Sequence, residues 1–276
     1  VQPRRLDRSD EHAIEELLDV DVTTNLFLLA YLSIHPVDRA HWYGSFTPNQ
    51  SDQLAAAVLV VPGRLAVPFA RTEDAARELG SLLRSRHPPS MVVGPRVTSD
   101  AMWSTWAPEA RVIRWYDQRL YVLHRPAPAA RPMGFRRAME DDIPEVDALS
   151  AAMEIEDTGI DPRAESAQAH RMAVQERVRS GRTYLIERGG EIVFQVHVGT
   201  VSSRGCQVGG TYVPPRHRGK GLGGAGVAAT CDTLLRSYPL VTLHVNEANR
   251  PAVAVYERCG FQRSTPMRLL TVQGST

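Results

Sequence analysis

The chain has 276 residues, 43% hydrophobic and 23% charged, with 32 basic against 31 acidic side chains. Those proportions exclude a disordered polymer, and the longest apolar run, Leu54 to Pro62, is too short to span a bilayer. A formal charge of +1 gives no overall pull towards nucleic acid or an anionic membrane, so neither is expected as a partner and any anion must be held by a local basic cluster.

Taken in chain order, helical periodicity is read around His12–Leu18 and Asn25–Leu32, followed by strands near His41–Phe46 and Leu54–Val61. A helix near Glu73–Arg84, a strand at Ser90–Val93, a helix at Asp100–Trp106 and strands across Val112–Leu123 come next. Trp42, Tyr43, Trp103, Trp106, Trp115 and Tyr116 are expected in a core, the commoner place for such rings. From Arg125 to Pro132 three prolines fall in eight residues, which breaks helix and central strand alike and predicts an extended spacer. The chain is therefore divided into a first domain, 1–125, a linker, 126–132, and a second domain, 133–276.

In the second half, Phe135–Ala138 reads as a short strand, and Asp141-Asp142-Ile143-Pro144 as a helix start with proline in the first turn. That helix runs through Val146, Leu149 and Met153, and another near Gln168–Arg179 stops at Gly181. Thr183–Glu187 and Ile192–His197 flank Gly189-Gly190, the pattern of a hairpin. A strand from Gln207 to Val213 stops at Pro214-Pro215. After a glycine-rich turn comes a helix with Val227, Cys231, Leu234 and Leu235 on one face. Leu240–Val245 is a strand, Ala252–Cys259 a short helix ended by Gly260, and Met267–Leu270 a last strand.

The richest stretch is Arg216 to Gly226, with three cations (Arg216, Arg218, Lys220) and five glycines in eleven residues. Glycines let backbone N–H groups approach a ligand, and a helix start adds unpaired donors and partial positive charge. Together they suit a pyrophosphate. The plainer alternative is a solvated basic turn before a helix packed tightly on a sheet. Gly219-x-Gly221-x-x-Gly224 also matches the dinucleotide fingerprint, with Glu247 at a suitable distance for a ribose. Too few residues follow for a doubly wound domain, and the strands before it read as hairpin-linked.

Arg218-Gly-Lys-Gly221-Leu-Gly223 resembles the Q/R-x-x-G-x-G/A acyl-coenzyme A loop of the GCN5-related N-acetyltransferase superfamily. Asn249-Arg-Pro-Ala252-Val-Ala-Val-Tyr256-Glu-Arg-Cys-Gly260-Phe261 resembles its second signature, one helix and one strand later. The resemblance covers 133–276. The first half is similar in element order but has no R-x-x-G-x-G, as in a degenerate copy. It implies an α/β fold of the α+β type: a mixed, mostly antiparallel sheet flanked by helices, with a splayed central strand pair, in two tandem domains.

The resemblance further implies acetyl transfer from acetyl-coenzyme A to an amine, small molecule or protein, without a metal. Tyr212, Val213, Arg218, Gly219, Lys220, Gly221, Leu222, Gly223 and Asn249 would line the cofactor. Val213 N–H would face the thioester carbonyl, since Pro214 has no N–H to donate, and Tyr256, on the helix face of Ala252, would protonate the thiolate. Tyr256 could equally be a core aromatic, and Asn249 a helix cap. For the base, Glu154 and Glu156 fall where the family binds its acceptor, although a solvated acidic helix end fits them too. Glu156 is the choice carried forward, with His197 and His244 read as structural. Two other functions stay open: a non-catalytic acyl-coenzyme A sensor and a nicotinamide-dependent oxidoreductase. Cys206, Cys231 and Cys259 are odd in number with no C-x-x-C, so neither disulfide scaffold nor zinc site is expected, and a reducing cytoplasm is. The polar start Val1–Arg5 leads to no expectation of a signal peptide.

Overall fold

The computed structural model describes residues 2–47, 53–86, 88–159 and 161–272. Val1 and 273–276, the outer ends of the expected domains, lie outside the described residues. In chain order the elements are β1 (Arg4–Arg5), α1 (Glu11–Leu18), α2 (Leu26–Ile34), β2 (His41–Phe46), β3 (Leu54–Val61), β4 (Leu65–Ala70), α3 (Glu73–Leu83), β5 (Met91–Pro95), α4 (Arg96–Trp106) and β6 (Val112–Leu123). They continue with β7 (Phe135–Arg137), α5 (Ile143–Thr158), α6 (Arg163–Arg179), β8 (Thr183–Arg188), β9 (Glu191–Ser202), β10 (Gly205–Tyr212), α7 (Leu222–Leu234), β11 (Val241–Asn246), α8 (Arg250–Arg258) and β12 (Gln262–Val272). The result is a mixed α/β architecture in which antiparallel pairs dominate and helices flank the strands, as expected.

Two compact units divide the chain, and neither is continuous: one takes 1–121, 244–249 and 263–276, the other 122–243 and 250–262. In the first unit β1–β2, β2–β3 and β3–β4 pair antiparallel, β4–β5 parallel, and β12 returns antiparallel to β5, Leu269 opposite Val93. β3 is an almost unbroken apolar run because both its faces are covered. Ala57 and Leu59 join Ile14, Leu17, Trp42 and Phe69 on one side, while Ala56 and Val58 join Leu79, Met102, Trp103 and Trp106 on the other. Trp42, Tyr43, Trp103 and Trp106 are thus core residues. Trp115 differs: it is 47% exposed, and the Arg268 guanidinium covers its ring at 4.8 Å.

The second unit repeats the scheme. β7–β8, β8–β9 and β9–β10 are antiparallel and β10–β11 parallel. Leu185 and Ile192 pack with Val146, Val174 and Val178 beneath α5 and α6. The proline-rich stretch forms neither helix nor strand and is anchored, since Ala127 N–H donates to the Cys259 carbonyl at 3.1 Å. All three cysteines are free and buried, and burial pushes the Cys206 thiol up to about 12.

Candidate functional site

β10 is irregular where the sequence places two consecutive glycines. It pairs with β9 at Gly209–His197 and again at Tyr212–Gln195, so three steps on one strand match two on the other: a bulge. Gly210 lies inside it at φ 61°, and a Cβ there would run into the His197 ring. On its other side β10 pairs with β11 only at Cys206–Val241 and Gln207–Thr242. Past Gln207 the parallel ladder stops, and the strand runs to Tyr212 and Val213 without it. This is the splay expected from the sequence.

After Val213 the chain makes a short 3₁₀ turn at Pro215–His217, then passes through Gly219 (φ 75°) and Gly221 (φ 73°) into α7. Positive φ at both positions explains the glycines, because a Cβ there is strained even though space around them is open. Gly221 is the N-cap of α7, no side chain caps the helix, and its first turn carries no acidic residue. The first N–H groups therefore remain available to an anion. Leu222 is buried beneath this turn, and Gly223 lies beside the Val213 side chain.

The loop cations divide by partner. Glu191 of β9 pairs with Arg216 and with His217, the latter at 3.0 Å. Arg218 donates through Nε to the Val213 carbonyl at 3.0 Å and through Nη2 to Glu156 at 2.6 Å, with its guanidinium 5.6 Å from the Tyr212 ring centroid. Lys220 Nζ donates to the Arg216 carbonyl at 3.3 Å.

Tyr256 lies on the buried face of α8 with Val253, its ring edge-on to Phe261 at 5.9 Å. Burial raises its phenol above the usual value of 10.0, only partly opposed by the Thr211 side chain. Asn249 precedes α8, and its N–H donates to the Asn246 carbonyl at 2.9 Å.

The carboxylates of α5 separate by environment. Glu156 is exposed and taken up by Arg218. Burial raises Glu154 against the pull of His170 and Arg177, and raises Asp157, which Glu156 pushes further in the same direction. Burial holds His197 down to about 4, helped by Arg177, and burial alone holds His244 to about 4. Both rings are neutral at pH 7. Glu247, the residue spaced for a ribose contact, forms ion pairs with Arg96 at 2.9 Å and Arg119 at 2.7 Å. Among the described residues no group of three or more His, Cys, Asp or Glu side chains is arranged for a metal ion, and no helix is long and apolar enough to cross a membrane.

The first unit has the same scaffold without this chemistry. β4 and β5 pair in parallel only at Leu65–Met91 and Ala66–Val92, the counterpart of the β10–β11 ladder. Here β4 keeps unbroken register with β3 from Ala56–Ala70 to Val61–Leu65, so there is no bulge. Pro68 and Ser99 crowd Gly94. Thr72 caps α3 by accepting from the Ala75 N–H, and Glu73 and Asp74 fill the first turn, which repels an anion.

Residues 148–261 match the model of the Acetyltransferase (GNAT) family. No curated protein matches the chain. Several solved structures share its fold. A Drosophila protein has a TM-score of 0.69 at 16% identity, covering 99% of this chain and 99% of its own. A GCN5-related N-acetyltransferase from Sphaerobacter thermophilus has a TM-score of 0.64 at 16% identity, covering 99% and 96%. A tandem GNAT protein from the clavulanic acid biosynthesis pathway has a TM-score of 0.56 at 15% identity, covering 100% and 99%. The first unit thus shares in a GNAT-like fold along with the second.

Proposed function

We propose, on the match of residues 148–261 to the acetyltransferase (GNAT) family model, that the second unit moves an acetyl group from acetyl-coenzyme A to an amine by direct attack in a ternary complex. The observation that carries this reading is the uncapped start of α7, with two positive-φ glycines before it, at the end of a bulged strand whose parallel ladder has stopped. The N–H groups from Arg218 to Gly223 would hold the diphosphate, with Lys220 beside them, Tyr212 and Val213 along the pantetheine, and Asn249 near the cofactor. The setting proposed is cytoplasmic.

The chemistry assigned to these residues is as follows. The acceptor's ammonium gives a proton to Glu156, and the neutral amine attacks the thioester carbon. The C–N bond forms and the oxyanion faces the Val213 N–H, a contact of a kind that contributes roughly 3–4 kcal/mol in comparable sites. As the C–S bond breaks, sulfur takes the phenol proton of Tyr256, and the proton shed by the attacking nitrogen restores the phenol. A raised phenol pKa supports the acid role, since the hydroxyl stays protonated at neutral pH.

The test is calorimetric titration with coenzyme A and with NAD, followed by thiol release from acetyl-coenzyme A over a panel of amines. Uptake of coenzyme A but not NAD, with amine-dependent thiol release, is expected. Uptake without turnover for any amine supports a binding-only sensor, and uptake of NAD alone overturns the proposal.

A further inference from the structure

Among the described residues, Arg218 is the one loop cation whose contacts tie together the strand end, the glycine turn and α5. Its Nε donates to the carbonyl of Val213, its Nη2 donates to Glu156 at 2.6 Å, and its guanidinium lies over Tyr212. Glu156 sits near the C-terminal end of α5, so the ion pair links that helix end to the residues following β10. Both partners are open to solvent, at 44% and 47% exposure, so an incoming anion can reach the guanidinium without unfolding anything. The neighbouring carboxylate, Glu191, is already shared by Arg216 and His217. A diphosphate at the start of α7 carries more charge than one carboxylate and fits the planar guanidinium fork at least as well.

Building on the function proposed above, we propose that Glu156 and the diphosphate of coenzyme A compete for Arg218, so that cofactor binding is what releases Glu156 to the acceptor's ammonium. Without cofactor the carboxylate is neutralised by Arg218 and offers an ammonium little attraction. With cofactor bound, Arg218 turns to phosphate oxygens and Glu156 becomes an unpaired anion at the acceptor side. The acceptor then binds best after the cofactor, and Glu156 acts as a guard on the loop before it acts on the amine. An exposed ion pair contributes little, so the competition is worth about two- to fivefold in cofactor affinity.

Calorimetric titration of the full chain with coenzyme A, at one fixed ionic strength, tests this without any acceptor. Glu156→Gln is expected to bind about two- to fivefold tighter than wild type. Asp157→Asn is the control for simple loss of negative charge, because Asp157 also feels Arg218, and its gain is expected to be smaller. In an Arg218→Ala background, Glu156→Gln is expected to change nothing, the signature of a pair coupled through that arginine. The competition is overturned by unchanged or weaker binding in Glu156→Gln, by an equal gain in Asp157→Asn, or by a gain that survives Arg218→Ala. Wild type that binds while Glu156→Gln has no effect sinks the competition alone. Wild type that takes up no coenzyme A sinks the site itself.

Discussion

The Tyr256 ring of α8 stands edge-on against Phe261 with centroids 5.9 Å apart, which packs the phenol against the residue that follows the helix. That contact holds the ring in one place, while burial keeps the proton on it. A proton donor for a departing thiolate needs both properties.

Replacing Tyr256 with Phe keeps the ring and its packing on Phe261 and removes only the acid. Turnover is expected to fall about 100-fold or more, while coenzyme A affinity by calorimetry stays within about twofold. In wild type the phenol pKa is raised above 10.0, so loss of the acid sets in only above that pH, and activity between about pH 7 and about pH 9 shows no alkaline limb from Tyr256. Equal losses in affinity and turnover would make the tyrosine a purely structural residue.

Gly210→Ala puts a methyl group into the His197 ring at a backbone φ that side chains rarely adopt. A loss of about 1–3 kcal/mol in denaturant stability is expected, together with lower turnover as the bulge flattens. A stable, fully active variant would show that the bulge is not needed.

Coenzyme A should bind once per chain, although the scaffold is present twice. The α3 start is capped by Thr72 and lined by Glu73 and Asp74, and β4 has no bulge. A calorimetric stoichiometry near two would contradict this reading.

Two half-buried histidines set an acid limit on stability. His197 and His244 are held to about 4 in the folded chain against 6.5 for an unperturbed ring. Their contribution is therefore complete above pH 6.5 and is lost as pH falls from there towards 4, because the unfolded chain takes up protons first. Each can cost about 1–3 kcal/mol over that window. Thermal midpoints measured between pH 7 and 4 should fall, and fall less in a His197→Gln variant, provided that variant still folds.

The parts of this architecture governed by local chemistry were legible from residues alone. The glycine turn, the helix after it and the Gly189-Gly190 hairpin carry their own conformational signals, and the structure has a turn, α7 and the β8–β9 pair there. β4 has no counterpart among the strands expected from the sequence, and Pro68 within Leu65–Ala70 argues against one; it is tolerated since β4 pairs in parallel with β5 only at Leu65 and Ala66. The pairing of Arg218 with Glu156 and that of Arg216 with Glu191 join residues distant in sequence, and no pattern along the chain encodes such meetings. The prolines before Phe135 fall inside the second unit, which starts at Val122, and nothing in the alternation of β12 reveals which unit it completes. Trp115 has the residue type of a core aromatic, and no pattern along the chain marks its cover by Arg268.

That β12 pairs with β5 has a consequence for biosynthesis. A ribosome releases Met91–Pro95 long before it makes Met267–Thr271, so the first unit waits, one edge bare, until the whole second unit has been made. A fragment ending near 125 would emerge with an unsatisfied strand edge and a tendency to aggregate, and trimming the chain before 263 would injure the half that was made first.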